Sequence, residues 1–324
     1  MAFNIENSFY QQFDILFYEL LSQKGSILMP YVMQTEVVGE TKTLRQIDGG
    51  KAKRGMLSAS GNTEFDPILY DNRRLEPAPI VKSFAQNDIE MTKQGAPDVE
   101  QLARMCSDAC GATLDDVIIE GIGGSVQTKS AGNIDLPLTQ YICVDTTVYG
   151  NKGATLEGQG LTTSKVSFAV AALREKYNSP DLICVCSNRA LGQLMTEERA
   201  ASSLYNSVQT QSNGQMSPFG GVYYFAASEA VNKAAPGHKA TGGALITKDS
   251  TTASVAGATV ELAYIYAMDQ VVLGSNMPFS LQSDKDPHRN FDLIFQCKGM
   301  YDCIRKQEEG VVAIEVNTSG TVIA

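Results

Sequence analysis

Apolar positions along the chain switch between helical and strand periods. Over residues 8–24, Phe9, Phe13, Leu16, Phe17, Leu20 and Leu21 form a stripe ahead of Gly25, which predicts an amphipathic N-terminal arm. Residues 31–47 are rich in Val and Thr, and a second extended run covers 68–84, interrupted by Pro77 and Pro79. Between them lies a Gly/Ser-rich, basic connection that includes Gly49, Gly50, Gly55, Ser58, Ser60 and Gly61. Two long strands joined by such a tip cannot bury both faces within one chain, so this excursion needs a neighbour.

The strongest helical signal runs over 97–121. Pro97 takes the favoured first position, Asp98 and Glu100 suit the first turn, and Gly121 is the stop. Val99, Leu102, Ala103, Cys106, Ala109, Cys110, Leu114, Val117 and Ile118 keep the spacing of one buried face. At 1.5 Å per residue this is a spine roughly 36 Å long. Residues 123–160 read as irregular strands and loops. A second helix starts near Thr162, Thr163 or Ser164, buries Val166, Ala169, Val170, Leu173 and Tyr177, and is closed by Pro180. The apolar run 181–187 predicts a strand covered on both faces, followed by a helical region over 188–203. Strands over 221–227, 244–247 and 260–274 complete a compact α/β lobe. Residues 291–297 alternate, Gly299 breaks the pattern, and 311–316 form a last strand, so the chain ends in antiparallel sheet. The whole predicts an α+β fold without internal repeats or heptads.

A chain of 324 residues, 43% hydrophobic, exceeds what one core usually holds, so two lobes are expected. The net charge of -10 argues against an outer surface devoted to gripping nucleic acid, which requires an excess of Lys and Arg. The N-terminus lacks a basic start and a long apolar run, and no stretch approaches ~20 uninterrupted apolar residues, so the chain reads as soluble, not exported and without a membrane contact. Seven cysteines without paired CxxC spacing fit a reducing cytosol, with the thiols acting as small apolar core residues.

Candidate chemistry is sparse. His238 and His288 are the only histidines and both stand in polar stretches, which leaves little material for a metal site or a catalytic triad. The run from Glu120 to Ser125 superficially resembles a phosphate loop, but it follows a helix and lacks the GK[ST] ending, so it reads as a helix stop. Cys106 with Cys110, and Cys184 with Cys186, read as core packing. Asp115-Asp116 and Glu197-Glu198 read as solvated charge, because adjacent residues on a helix diverge by about 100°. No catalytic residue, metal or cofactor is expected.

Charge distribution is more informative. Over 41–54, Lys42, Arg45, Lys51, Lys53 and Arg54 face the single Asp48. Over 97–121, Asp98, Glu100, Asp108, Asp115, Asp116 and Glu120 face the single Arg104. A basic arm and an acidic spine in one chain can pair between neighbouring copies; two independent solvated faces are the alternative.

The order of parts, namely arm, two-stranded extension, acidic spine, inserted lobe and terminal strands, resembles the major capsid proteins of tailed phages, over roughly residues 37–316. The local signatures are Arg73-Arg74 before an extended segment leading to Asp88, and Leu114-Asp115-Asp116-Val117-Ile118-Ile119-Glu120-Gly121 closing the spine. The tail adds Gly299-Met300-Tyr301-Asp302 through Arg305 to Gly310-Val311-Val312-Ala313-Ile314, similar to podovirus-type capsid subunits. The resemblance implies the Hong Kong 97-type fold, shared with encapsulin compartments and herpesvirus capsid floors. It implies an N-terminal arm (1–30), an extended loop region lying across a neighbouring subunit (31–95), a peripheral domain (96–160 and 285–324) and an axial domain (161–284). It further implies hexamers and pentamers of a virion head assembled in the host cytoplasm around double-stranded DNA held without sequence specificity, with a portal as partner and cement proteins as a further candidate. Where relatives often carry an Arg one turn before the spine Asp, Ala112 and Thr113 stand here, so a salt bridge built on that Arg does not carry over. The first thirty residues are too short for a fused scaffolding segment, which implies a separate scaffolding protein. An encapsulin-like nanocompartment and a soluble α/β enzyme are the alternatives.

Overall fold

A computed structural model of the chain describes residues 15–17, 25–48, 69–86, 99–128, 132–142, 160–177, 181–196, 211–212, 215–216, 220–226, 260–286 and 292–317. In chain order the elements are β1 (Met33–Glu36), β2 (Lys42–Asp48), β3 (Leu69–Leu75), β4 (Ala78–Gln86), α1 (Val99–Gly123), β5 (Val126–Thr128), β6 (Gly132–Ile134) and β7 (Tyr141–Ile142). They continue with α2 (Thr163–Lys176), β8 (Leu182–Cys186), α3 (Asn188–Thr196), β9 (Gln211–Ser212), β10 (Gln215–Met216), β11 (Val222–Ala226), β12 (Val260–Ala267), β13 (Val271–Asp286), β14 (Asp292–Arg305) and β15 (Val311–Asn317). The expected strand at 244–247, both histidines, Cys143, Asp88 and Glu197-Glu198 lie outside the described residues. So does most of the arm; of its stripe, Phe17 is buried and Leu16 packs against the core.

Three sheets organise the chain. A long sheet has the order β1-β13-β14-β4, a lobe sheet β11-β8-β12-β15-β7, and an extension sheet β2-β3-β5-β6; β9 and β10 pair separately. The spine helix lies on the long sheet because its apolar stripe, including Cys106, Cys110, Leu114, Ile118 and Ile122, shares one core with Phe295, Cys297, Tyr301 and Cys303 of β14. Burying each Leu or Ile of that stripe contributes about 2 kcal/mol. A second core fills the lobe between α2, α3 and the lobe sheet, with β8 buried along its full length. Thr162 caps α2, its hydroxyl accepting from the Lys165 amide at 3.4 Å, and Pro79 is tolerated in β4 because that strand is a sheet edge.

Two expectations need correction. The apolar run 260–274 is not one strand: Met268–Gln270 form a 3₁₀ turn, and the chain leaves the lobe sheet as β12 and enters the long sheet as β13. Asp269 and Gln270 mark the change, the two polar residues in a run that is otherwise apolar from Leu262 to Leu273. Glu308–Gly310 make the matching turn between β14 and β15, and the Lys306 amide donates to the Gln270 carbonyl at 2.7 Å across the two. Gly299 breaks the alternation as expected without ending β14: the ladder with β13 shifts register opposite it, between Met277 and Ser280. It is a close approach, where a Cβ would stand 2.7 Å from the Phe279 ring and 2.8 Å from that of Tyr301. Gly121 does not end the spine, which runs on to Gly123. β15 joins the lobe sheet and β13 the long sheet.

Candidate functional site

The extension sheet is where the chain departs from its own cores. β2 and β3 pair antiparallel from Lys42↔Leu75 to Asp48↔Leu69, leaving the basic connection beyond the last rung. At the root, β1 runs parallel to β13 and β2 turns away through Gly39, whose φ of 92° is a left-handed conformation that glycine adopts without strain. The Asn276 side chain donates to the Gly39 carbonyl at 2.7 Å, and the Glu76 amide donates to Asp302 Oδ2 at 2.7 Å where β3 passes to β4. Both turns are therefore tied to the long sheet.

Beneath the root sits a buried arginine pair. Arg73 of β3, 2% exposed, donates from Nη1 to the Arg305 carbonyl at 2.8 Å and from Nη2 to both Glu308 carboxylate oxygens at 2.6 Å. Arg305 of β14, fully buried, donates from Nη1 to the Ile122 carbonyl at 3.4 Å and to the Gly124 carbonyl, and from Nη2 to the Ile134 carbonyl at 2.9 Å. Carbonyls at a helix C-terminus lack intrahelical partners and carry partial negative charge, so a guanidinium there satisfies both needs. Burial lowers the Arg305 pKa, Glu308 raises it and Arg73 lowers it. This cluster joins the extension, the spine's end, β6 and β14 at one point. Arg73-Arg74 stood out in the sequence, but the clamp did not. Arg74 pairs locally with Glu76 at 2.7 Å.

The spine's acidic residues do not form one face. Asp115 is 4% exposed, not solvated as expected: it accepts from Ser26 Oγ, from the Ile27 amide at 3.1 Å and from the Leu28 amide at 3.0 Å. One turn earlier Gly111 gives the same segment room, since a Cβ there would meet the Gly25 backbone at 2.8 Å. Residues 25–28 are thus docked on the spine, and Asp115 is committed within its own chain. Burial raises its pKa, against the hydrogen bonds from Ser26, Leu28 and Ile27. Asp108 is exposed, and Asp116 is half-buried. Glu100 lies in the first turn of α1; Asp98 lies outside the described residues. Thr113, where the missing Arg would stand nearby, donates back to the Ala109 carbonyl at 2.9 Å.

Burial pushes the Asp116 carboxyl up to about 6, with Glu120 and Asp115 adding repulsion. A raised acid stabilises the fold while protonated, below its ordinary pKa of 3.8, and that contribution is lost as pH rises through about 6. Asp116→Asn should therefore raise Tm more at pH 7.5 than at pH 4, read by thermal unfolding of both proteins at each pH. Equal shifts at the two pH values would contradict this assignment.

Of the basic candidates, Lys42 is held within the chain, donating to Thr35 Oγ1 and to the Glu36 carbonyl, each at 2.6 Å. Arg45 is exposed on β2; Lys51, Lys53 and Arg54 lie outside the described residues. The cysteines at 106, 110, 184 and 186 are buried, as expected. Among the described residues, four of the eight exposed large apolar side chains, Ile15, Ile27, Met33 and Val38, fall in the N-terminal stretch, where a second surface could cover them. No helix among the described residues is long and apolar enough to cross a membrane, and no cluster of three or more metal-ligating side chains occurs among them.

A family model described as phage capsid protein matches residues 5–318. No curated protein matches the chain. Among solved structures, the capsid of cyanophage Pam1 is 15% identical with a TM-score of 0.62, covering 92% of this chain and 93% of that one. The capsid of cyanophage P-SCSP1u is 13% identical with a TM-score of 0.62, covering 91% and 89%. The capsid of Ralstonia phage GP4 is 10% identical with a TM-score of 0.59, covering 93% of each. At such identities the likeness is one of fold, and it agrees with the Hong Kong 97-type arrangement that the order of elements implies.

Proposed function

The chain belongs to the phage capsid protein family, and we propose that its copies join into hexamers and pentamers of an icosahedral head around double-stranded DNA. The observation that carries this reading is the family match over residues 5–318, nearly the whole chain. The chain is a structural capsid subunit; its working surfaces are those it presents to other copies, and no catalytic role is assigned to it. Assembly takes place in the host cytoplasm with a separate scaffolding protein and a portal, and the acidic chain holds DNA without reading its sequence. An enzyme-storing compartment and a soluble α/β enzyme are not favoured by the family match.

Within that reading, the basic tip beyond β2 and β3 rests near the acidic side chains on the spine of an adjacent copy. Lys51, Lys53 and Arg54 supply the cations, with Arg45 behind them; Asp108, Asp116, Glu100 and Asp98 supply the anions, and Asp115 drops out because residues 25–28 occupy it. The N-terminal stretch adds its exposed apolar side chains to a neighbour. The lobe holding α2, α3 and the lobe sheet serves as the axial domain, and the spine with the long sheet as the peripheral one. Each contact is weak, but repetition around a closed shell multiplies its effect.

Negative-stain electron microscopy with sedimentation tests the reading: closed shells or capsomer-sized rings are expected, with or without the scaffold, and a stable monomer or dimer under all conditions would overturn it. Changing both Lys53 and Arg54 to Glu should lower shell yield on the order of tenfold while leaving the subunit's Tm unchanged. Normal particle yield from that variant would reject the charge pairing while leaving the capsid reading intact.

A further inference from the structure

Cys110 on α1 and Cys297 on β14 face each other with their sulfurs 3.1 Å apart, both buried. We propose that this pair is a modification site, at which a peroxide converts two thiols into a disulfide that fastens the spine helix to the long sheet.

The chemistry follows from the surroundings. The hydrogen bond shared with Cys297 lowers the Cys110 pKa; burial opposes it, and the charge of Lys82, which stands opposite Cys297 on β4, assists. Cys106, one turn away, is held up at about 11, chiefly by burial, and so remains a thiol. Cys110 is thus the nucleophile. Its thiolate attacks a peroxide oxygen, the O–O bond breaks, and the departing oxygen takes a proton and leaves as water. The resulting sulfenic acid is attacked by the Cys297 sulfur; the S–S bond forms, the S–OH bond breaks, and the hydroxyl leaves with the Cys297 proton as a second water. Two thiols are oxidised by two electrons and one hydrogen peroxide is reduced to two waters. A disulfide spans about 2.04 Å, so closure needs only about 1 Å of sulfur movement. The other close thiols, Cys184 and Cys186, lie two residues apart on one strand and tie nothing together. By contrast, Cys110 and Cys297 are separated by 187 residues, so their bond would constrain a long stretch of unfolded chain.

The test treats the native full-length chain with hydrogen peroxide, alkylates remaining thiols after denaturation, and examines the unreduced tryptic digest by mass spectrometry. The expected product joins the fragment 290–298 to the fragment 105–129, lighter than their sum by two hydrogens and lost on reduction. Oxidised protein should melt higher than reduced protein, by about 5 °C or more. Cys106→Ser should keep the link and Cys110→Ser should lose it. Should Cys110→Ser fail to fold, tandem fragmentation of the wild-type product assigns the linked cysteine. Full alkylation of Cys297 after peroxide, a link through Cys106, or a link that forms only in denaturant each overturns the proposal. None of these outcomes depends on whether shells form.

Discussion

Arg305→Ala is expected to destabilise the subunit by about 4 kcal/mol, measured by equilibrium urea unfolding of the unassembled chain. The side chain is fully buried and satisfies the carbonyls of Ile122, Gly124 and Ile134; its backbone carbonyl receives Arg73, and its Nε lies 3.9 Å from Glu308. Truncation leaves a cavity, three carbonyls short of their donor and a carboxylate with one arginine instead of two. Each lost partner of a buried polar group costs about 1–3 kcal/mol, and local rearrangement recovers part of the sum. A loss below about 1 kcal/mol would mean that water replaces the guanidinium and that the clamp is not what fixes the extension's root. Arg305→Lys should recover little, because one ammonium cannot reach three carbonyls spread over the spine's end and β6.

A single methyl group at Gly121 should have a comparable effect by a different route. The added Cβ would stand 2.3 Å from the Cys303 carbonyl oxygen and 2.5 Å from its carbon, so the obstacle is backbone and cannot rotate aside. The spine and β14 must separate instead, at a cost of about 3 kcal/mol, against which helix propensity returns about 1. Gly121→Ala should thus lose about 2 kcal/mol in the same unfolding experiment. Gly192→Ala is the control: nothing stands within 4 Å of its Cβ position in α3, and a gain of up to about 1 kcal/mol is expected. Two identical substitutions in two helices with opposite signs would establish that close approach, not helix preference, governs residue 121.

The parts legible in the sequence were those set by local pattern. The spine's stripe, the cap at Thr162, the doubly covered strand β8 and the paired runs that became β2 and β3 all announce themselves within a few residues. What escaped was decided by partners far along the chain. Asp115 reads like Asp116 beside it, yet only Asp115 meets the amides of residues 27 and 28, 88 and 87 positions away. Arg73 and Glu308, 235 positions apart, gave no sign of belonging together. The passage from β12 to β13 was marked only by Asp269 and Gln270, two polar residues in an otherwise apolar run. Among the candidate contact residues, the sequence supplied charge but not allegiance: of the described ones, Lys42 and Asp115 are held by partners within the chain.

β14 lies between β13 and β4, and β15 between β12 and β7, so residues 292–317 fill interior positions of two sheets. During synthesis these strands leave the ribosome after β4, β7, β12 and β13. Until they do, β4 has no sheet to join, β7 has no partner strand, and the carbonyls at the spine's end await Arg305. A growing chain therefore cannot complete either sheet until β14 and β15 have emerged. For a subunit made in large numbers, that timing also keeps unfinished chains from presenting a finished edge to one another.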